Sequence, residues 1–99
     1  MTINKTLEQA KLCLAPVGRL DTINAPHFES ELDASLSGVK ELVIDLKDLS
    51  YMSSAGLRLI LKAHKLMNHQ GGSMKVIGAN AMINEVFEIT GFSDILTIE

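Results

Sequence analysis

The sequence predicts an α/β domain with a mixed β-sheet of about five strands and three helices packed on it. Strand-like and helix-like patterns alternate from residue 11 onward, which is typical of helices that connect the strands of one sheet. Residues 41–46 are almost continuously apolar, as expected of a parallel strand that is buried on both faces. The 99 residues are 46% hydrophobic and 21% charged, which predicts one globular domain over residues 1–99.

The first two elements are predicted to form a β-hairpin. Residues 2–7 and 11–17 have strand patterning, and residues 8–10 form a short turn between them. Pro16 cannot donate a ladder hydrogen bond, so we expect the second strand to lie at an edge of the sheet or to contain a bulge at this point.

A helix follows the turn that begins at Gly18. Asn24 is a candidate cap, and Pro26 lies in the first turn, where its missing N–H costs nothing. Gly38 is a plausible C-terminal stop. The helix presents an apolar face with three- and four-residue spacing: Phe28, Leu32, Leu36 and Val39.

The strand at residues 41–46 leads into the longest helix, over residues 55–68. The polar side chains of this helix form one narrow stripe, which is either a solvated face or a contact surface for an acidic partner: Arg58, Lys62, Lys65 and His69. A further strand is expected at residues 74–77, then a helix that Asn80 caps and Gly91 closes, and a last strand at residues 95–98.

Composition and charge exclude several classes of protein. A net charge of −3 and a pI near 5.5 argue against broad nucleic-acid binding, which requires cations to neutralise phosphates. No apolar run approaches the ~18 residues of a membrane span, and the N-terminus does not resemble a signal peptide. The single cysteine, Cys13, is expected in the core. These features predict a cytoplasmic protein with no membrane association.

Catalytic and metal-binding motifs are not found. The histidines, His27, His64 and His69, lack an acidic partner for a catalytic triad and the spacing of metal ligands. Residues 71–73, Gly-Gly-Ser, lack the lysine and glycine spacing of a phosphate-binding loop. We therefore predict a protein that is not an enzyme and needs no cofactor.

Two serines lie where the buried strand gives way to the long helix. Either Ser53 or Ser54 could cap the helix with its side-chain oxygen, which would be a structural role. Alternatively, one of them could carry a phosphate, because the free N–H groups and the dipole of a helix start tolerate negative charge. Arg58 lies one helical turn beyond Ser54 and could reach such a phosphate or an acidic group of a partner.

The segment around these serines resembles the signature of STAS domains, in particular of bacterial anti-sigma factor antagonists. The similar residues are Asp45-Leu46-x-Asp48-Leu49-Ser50-Tyr51-Met52-x-Ser54-x-Gly56-Leu57. Further similarity is found at residues 18–21, 71–76 and 86–92, so the resemblance covers essentially the whole chain.

The resemblance implies a protein that binds an anti-sigma factor, which is also a serine kinase. The complex dissociates when this kinase phosphorylates the bound protein. A PP2C-type serine phosphatase reverses the modification. The implied phosphorylation site is Ser54, with Ser53 as the second candidate. The predicted partner-binding residues lie in the upstream turn and around the serines: Asp21, Thr22, Met52, Ser53, Ala55, Gly56 and Arg58.

The chain also departs from this family. An aspartate often precedes the phosphorylated serine, whereas this chain has Ser53; Ala55 and Arg19 replace a hydroxyl residue and a glutamate. The fourth, C-terminal helix of the family is expected to be missing, which would leave one sheet face or helix flank less covered and would favour a homodimer.

Two alternative functions stay open, and one of them, a domain that senses a small molecule or a nucleotide, has no motif in the sequence behind it. The other is better defined. The chain could be a constitutive STAS scaffold or an accessory subunit of a larger complex such as a transporter, with Ser54 serving only as a helix cap.

Overall fold

The structure, a computed structural model, describes residues 1–99 and begins with the predicted hairpin. Strands β1 (Thr2–Glu8) and β2 (Lys11–Leu20) pair antiparallel, from Thr2 opposite Val17 to Glu8 opposite Lys11. The two residues between the strands form the turn, and Gln9 has a φ of 53° there. The predicted hairpin is confirmed.

The sheet is mixed, as predicted, but it has six strands. β3 (Glu41–Asp45), β5 (Ser73–Ile77) and β6 (Thr97–Ile98) continue from β2 in the order β1-β2-β3-β5-β6. All neighbouring pairs after the hairpin are parallel. The additional strand, β4 (Leu49–Met52), pairs parallel with the second half of β2. Thus β2 pairs first with β3 and then with β4 along one of its sides.

Three α-helices connect these strands. They are α1 (Ala25–Ser35), α2 (Ser54–His69) and α3 (Ala81–Ile89), and a short 3₁₀ helix (Phe92–Asp94) precedes β6. Their apolar faces pack with alternate residues of the strands into one core, in which Phe28, Ile60 and Phe87 are almost fully buried. None of these helices has the length and apolar character needed to cross a membrane.

Several local predictions are corrected by the structure. Pro16 is not in an edge strand: it is buried within β2, opposite Ile3 of β1, where β2 passes from β3 to β4 and has no partner on that side. The irregularity in the pairing of β2 lies further on, between Gly18 and Arg19. Cys13 is only half-buried, because alternate strand residues face opposite sides, and its neighbours Leu12 and Leu14 are the ones that enter the core.

The predicted cap of α3 is confirmed, and the predicted cap of α1 is wrong. Asn80 caps α3 as expected, since its Oδ1 accepts a hydrogen bond of 2.9 Å from the N–H of Ile83. Asn24 does not cap α1 with its side chain, which instead donates to the carbonyl of Arg19 at 2.9 Å. The carboxylate of Asp21 instead accepts hydrogen bonds from the N–H groups of Ile23 and Asn24, in the turn that precedes α1.

Candidate functional site

The candidate site lies at the edge of the sheet where β2 and β4 both end. Leu20 and Met52 are paired across these two parallel strands, and the N–H of Ser53 donates to the carbonyl of Leu20 at 2.9 Å. The carboxyl ends of parallel neighbours meet at one edge, so the turn after β2 and the start of α2 are side by side. The structure therefore brings the predicted Asp21 and Thr22 next to the two serines.

The two serines have different environments. Ser53 is the N-cap residue of α2, and its Oγ accepts a hydrogen bond from the N–H of Ala55 at 3.2 Å. Its carbonyl also accepts the first helical hydrogen bond, from Leu57 at 3.0 Å. Ser54 is the first helical residue; it is exposed, and its hydroxyl makes no hydrogen bond within the chain. The cap is thus Ser53, and Ser54 presents a free hydroxyl to solvent.

Two of the predicted partner-binding residues are buried and position the site from beneath. Met52 is 6% exposed, and Gly56 is also buried. A Cβ atom added to Gly56 would lie 2.9 Å from Cγ of Leu20 and 2.9 Å from Cγ of Met52. Only a residue without a side chain lets the first turn of α2 approach the ends of β2 and β4 this closely, so Gly56 sets the height of Ser54 above the sheet.

Asp21 organises the neighbouring turn. Its Oδ1 accepts hydrogen bonds from the N–H groups of Ile23 at 3.1 Å and Asn24 at 3.0 Å, which fixes the start of α1. These donors, Asn24 first, together with Arg19, hold the pKa of the Asp21 carboxyl below its ordinary value of 3.8. Asp21 is thus an ionised residue at the rim of the site that holds the turn before α1.

Arg19 lies beside this turn and was not predicted as a site residue. Its Nε is 3.5 Å from Oδ2 of Asp21, and its guanidinium lies over the ring of Tyr51 at 4.2 Å from the ring centre. Arg19 and Tyr51 are paired across β2 and β4. The cation therefore already has two partners within the chain, and it offsets the charge of Asp21.

Among the residues of the predicted basic stripe, Arg58 is the one nearest the serines. It is exposed and forms no ion pair within the chain. Lys62, one turn further on, contacts Glu29 at 2.8 Å and Asp33 at 3.1 Å, and both contacts raise its pKa. The stripe is therefore not uniform: Lys62 joins α2 to α1, whereas Arg58 forms no ion pair at the start of α2.

Sequence reasoning also missed an exposed apolar side chain at this edge. Ile23 is 86% exposed and follows Thr22, itself exposed, in the turn after β2. A bulky aliphatic residue between turn residues was the available signal, because a solvated turn normally selects polar side chains. Ile23 adds an apolar contact to a rim that is otherwise polar.

Asp48 lies away from the two serines. It precedes β4, and its carbonyl accepts a hydrogen bond from the N–H of Gly18 at 3.0 Å. Ser53 is five positions further along the extended chain, a span of roughly 16 Å. This distance exceeds the screening length in physiological salt, about 8 Å, so its charge has little effect at Ser54. The described chain contains no cluster of three or more His, Cys, Asp or Glu side chains that could hold a metal ion.

Comparison with known proteins agrees with the sequence resemblance. Residues 2–99 match the family model of the STAS domain. The anti-sigma-B factor antagonist of Bacillus subtilis (strain 168) is 36% identical over 81 residues, which are 82% of this chain and 74% of that protein. BtrV of Bordetella bronchiseptica, named as a candidate anti-sigma factor antagonist, is 34% identical over 99 residues, covering 99% of this chain and 84% of its own.

The fold is also found among solved structures. An anti-sigma factor antagonist from Mycobacterium paratuberculosis has the same fold with a TM-score of 0.88. The similarity covers 98% of this chain and 83% of that chain at 19% sequence identity, so it bears on the fold alone.

Proposed function

We propose a function on the premise that this chain belongs to the STAS domain family, among the anti-sigma factor antagonists. The chain is a partner-switching protein. It binds an anti-sigma factor that is also a serine kinase while Ser54 is unmodified, and it releases this partner once Ser54 is phosphorylated.

The observation that carries the proposal is the difference between the two serines. The hydroxyl of Ser54 is exposed and has no hydrogen-bond partner, whereas Ser53 is half-buried and its oxygen is engaged by the N–H of Ala55. A kinase can reach Ser54 without opening the helix. Phosphorylation of Ser53 would first have to break the cap of α2, so Ser53 is the weaker candidate.

The physical effect of a phosphate on Ser54 is local. It adds about −1.5 to −2 charges and three acceptor oxygens. The first turn of α2 contains no acidic side chain, and its dipole favours negative charge, so the fold need not change. A partner packed over Ser54 would instead have to bury a dianion, and like-charge and desolvation costs at an interface amount to several kcal/mol. Release therefore needs no conformational change.

The partner surface that we propose surrounds Ser54 on the exposed rim of this edge. Thr22 and Arg58 are exposed, and Ala55 and Asp21 are half-buried around the serine. Met52 and Gly56 support this surface from below. Ile23 extends it with an apolar contact. A polar, solvent-accessible rim around the buried part of the contact is typical of protein interfaces.

The proposal assigns the remaining partners and the cellular setting. The kinase uses ATP, and a PP2C-type serine phosphatase returns the protein to its binding state. The chain itself has no catalytic activity and needs no cofactor, residues 1–99 act as one domain, and the setting is the bacterial cytoplasm. A homodimer in solution is a separate prediction that light scattering on the purified protein can test.

The alternative function, a constitutive scaffold or accessory subunit, required Ser54 to be only a helix cap. The cap of α2 is Ser53 instead. The hydroxyl of Ser54 makes no hydrogen bond that stabilises the fold, so the capping role that the alternative assigned to it is not found, and we favour the switch.

Phosphorylation by the kinase tests the proposal directly. The purified chain is incubated with ATP and an anti-sigma factor kinase from the same genome, and the modified residue is mapped by mass spectrometry. We expect phosphate on Ser54 in the wild type and in the Ser53→Ala variant, and none in Ser54→Ala. Modification of Ser53 alone, or of neither serine, would contradict the proposal.

A further inference from the structure

We infer that Arg58 is the intramolecular partner of the phosphate on Ser54, so that phosphorylation withdraws the unpaired cation of the site at the same time as it adds negative charge. This inference rests on the proposed function, because it concerns the modified state of the same serine. It assigns to Arg58 a regulatory role that depends on a side-chain pair within α2.

The spacing and direction of the two residues favour the pair. Ser54 and Arg58 are four residues apart in one helix, so their side chains lie on the same face, separated by roughly 6 Å along the axis. The acidic member would lie on the N-terminal side, which is the more favourable order for such a pair. A guanidinium can bind two phosphate oxygens in parallel, which a lysine cannot do.

The charges around the pair leave Arg58 available for it. Arg58 has no ion pair within the chain, and it is exposed. Arg19 is held by Asp21 and Tyr51, and Lys62 is held by two carboxylates of α1. The charged neighbours that could oppose a phosphate are Asp21, which Arg19 offsets, and Asp48, which lies at the far end of β4.

The consequence is a change in the sign of the charge on the surface that the partner contacts. Before modification, Arg58 is free to contact an acidic group of the partner. After modification, it turns back onto the phosphate, so the partner loses a cationic contact and gains an anionic obstacle. One modification thus has two effects on affinity, and both act in the direction of release.

The test uses protein with phosphoserine installed at position 54 during translation, so no kinase is needed. The second pKa of the phosphate, about 6 in an unpaired phosphoserine, is measured by ³¹P NMR titration. We expect Arg58→Gln to raise this pKa by about 0.4 pH units relative to the unsubstituted protein. The matched control is Lys65→Gln, which removes an exposed cation of the same helix roughly 16 Å along the axis.

Each outcome of this titration decides the matter. A rise in Arg58→Gln that Lys65→Gln does not share, and that shrinks in 1 M salt, supports the pair. Equal pKa values in all three proteins, or equal rises in both variants, would overturn it. Because the phosphate is installed during translation, a kinase that does not phosphorylate Ser54 would refute the proposed function without affecting this measurement. Conversely, a pKa that does not change in Arg58→Gln would refute the pair and leave the proposed function intact.

Discussion

Replacing each serine by alanine separates the two roles at the start of α2. Ser53→Ala removes the oxygen that accepts the N–H of Ala55 at 3.2 Å and leaves that donor without a partner within the chain. Loss of an N-cap of this kind costs about 1 kcal/mol. Ser54→Ala removes a hydroxyl that is exposed and makes no hydrogen bond, so we expect a change within about 0.5 kcal/mol.

Urea denaturation followed by circular dichroism measures both free energies of unfolding. We expect Ser53→Ala to unfold at a lower urea concentration with an unchanged m-value, and to melt about 4–8 °C below the wild type, as a domain of this size does for each kcal/mol. Ser54→Ala should follow the wild-type curve. Equal losses in the two variants, or a loss in Ser54→Ala alone, would show that the assignment of cap and free hydroxyl is wrong.

Three further predictions concern Gly56, Asp21 and the cap of α3. Gly56→Ala should lower the free energy of unfolding by about 1 kcal/mol, because a new Cβ 2.9 Å from Leu20 and Met52 overpacks the core, and this cost exceeds the gain from the higher helix propensity of alanine. In a Met52→Ala background the same substitution should cost less. Additive effects of the two substitutions in urea titrations would refute the clash. Asp21 has a lowered pKa, so its contribution to stability is present above pH 3.8 and is lost as the pH falls through its folded pKa. Thermal melts between pH 5 and 2 should therefore show a steeper loss in the wild type than in Asp21→Asn, and parallel curves would contradict this. Asn80→Ala should lower stability by about 1 kcal/mol in the same urea assay through loss of its 2.9 Å bond to α3, and an unchanged midpoint would exclude the cap.

The elements with strong periodicity could be predicted from the sequence, and the reason is local. The apolar run of β3 and the long helix α2 follow from the pattern of neighbouring residues, and both are found where predicted, at Glu41–Asp45 and Ser54–His69. β4 was not predicted as a separate strand, because four residues carry little periodic signal and its existence depends on pairing with the distant β2.

The roles of the two serines could not be separated by local reasoning. Helix ends are uncertain by one or two residues from sequence, and a shift of one residue exchanges the cap and the first helical position. The pairing of Leu20 with Met52 and the bond from Ser53 to Leu20 fix where β4 ends, and thereby which serine caps α2. Non-local pairing thus decides a question that the motif alone left open.

Ion pairs and hydrogen bonds between different elements likewise could not be predicted from the sequence. Lys62 was part of a uniform basic stripe by its spacing, but its partners Glu29 and Asp33 lie on α1, about thirty residues earlier in the chain. Asp21 and Asn24 are both good capping residues, and the side chain of Asn24 is diverted to the carbonyl of Arg19 by the geometry of the turn. These contacts depend on how α1 and α2 lie on the sheet.

The affinity for the anti-sigma factor kinase, measured by titration calorimetry with unmodified protein and with protein carrying phosphoserine at position 54, tests the central claim most directly. We predict that the unmodified chain binds and that the phosphate weakens binding by about 100-fold, which corresponds to about 2.7 kcal/mol. Equal affinities of the modified and unmodified proteins would contradict the claim that Ser54 is a switch.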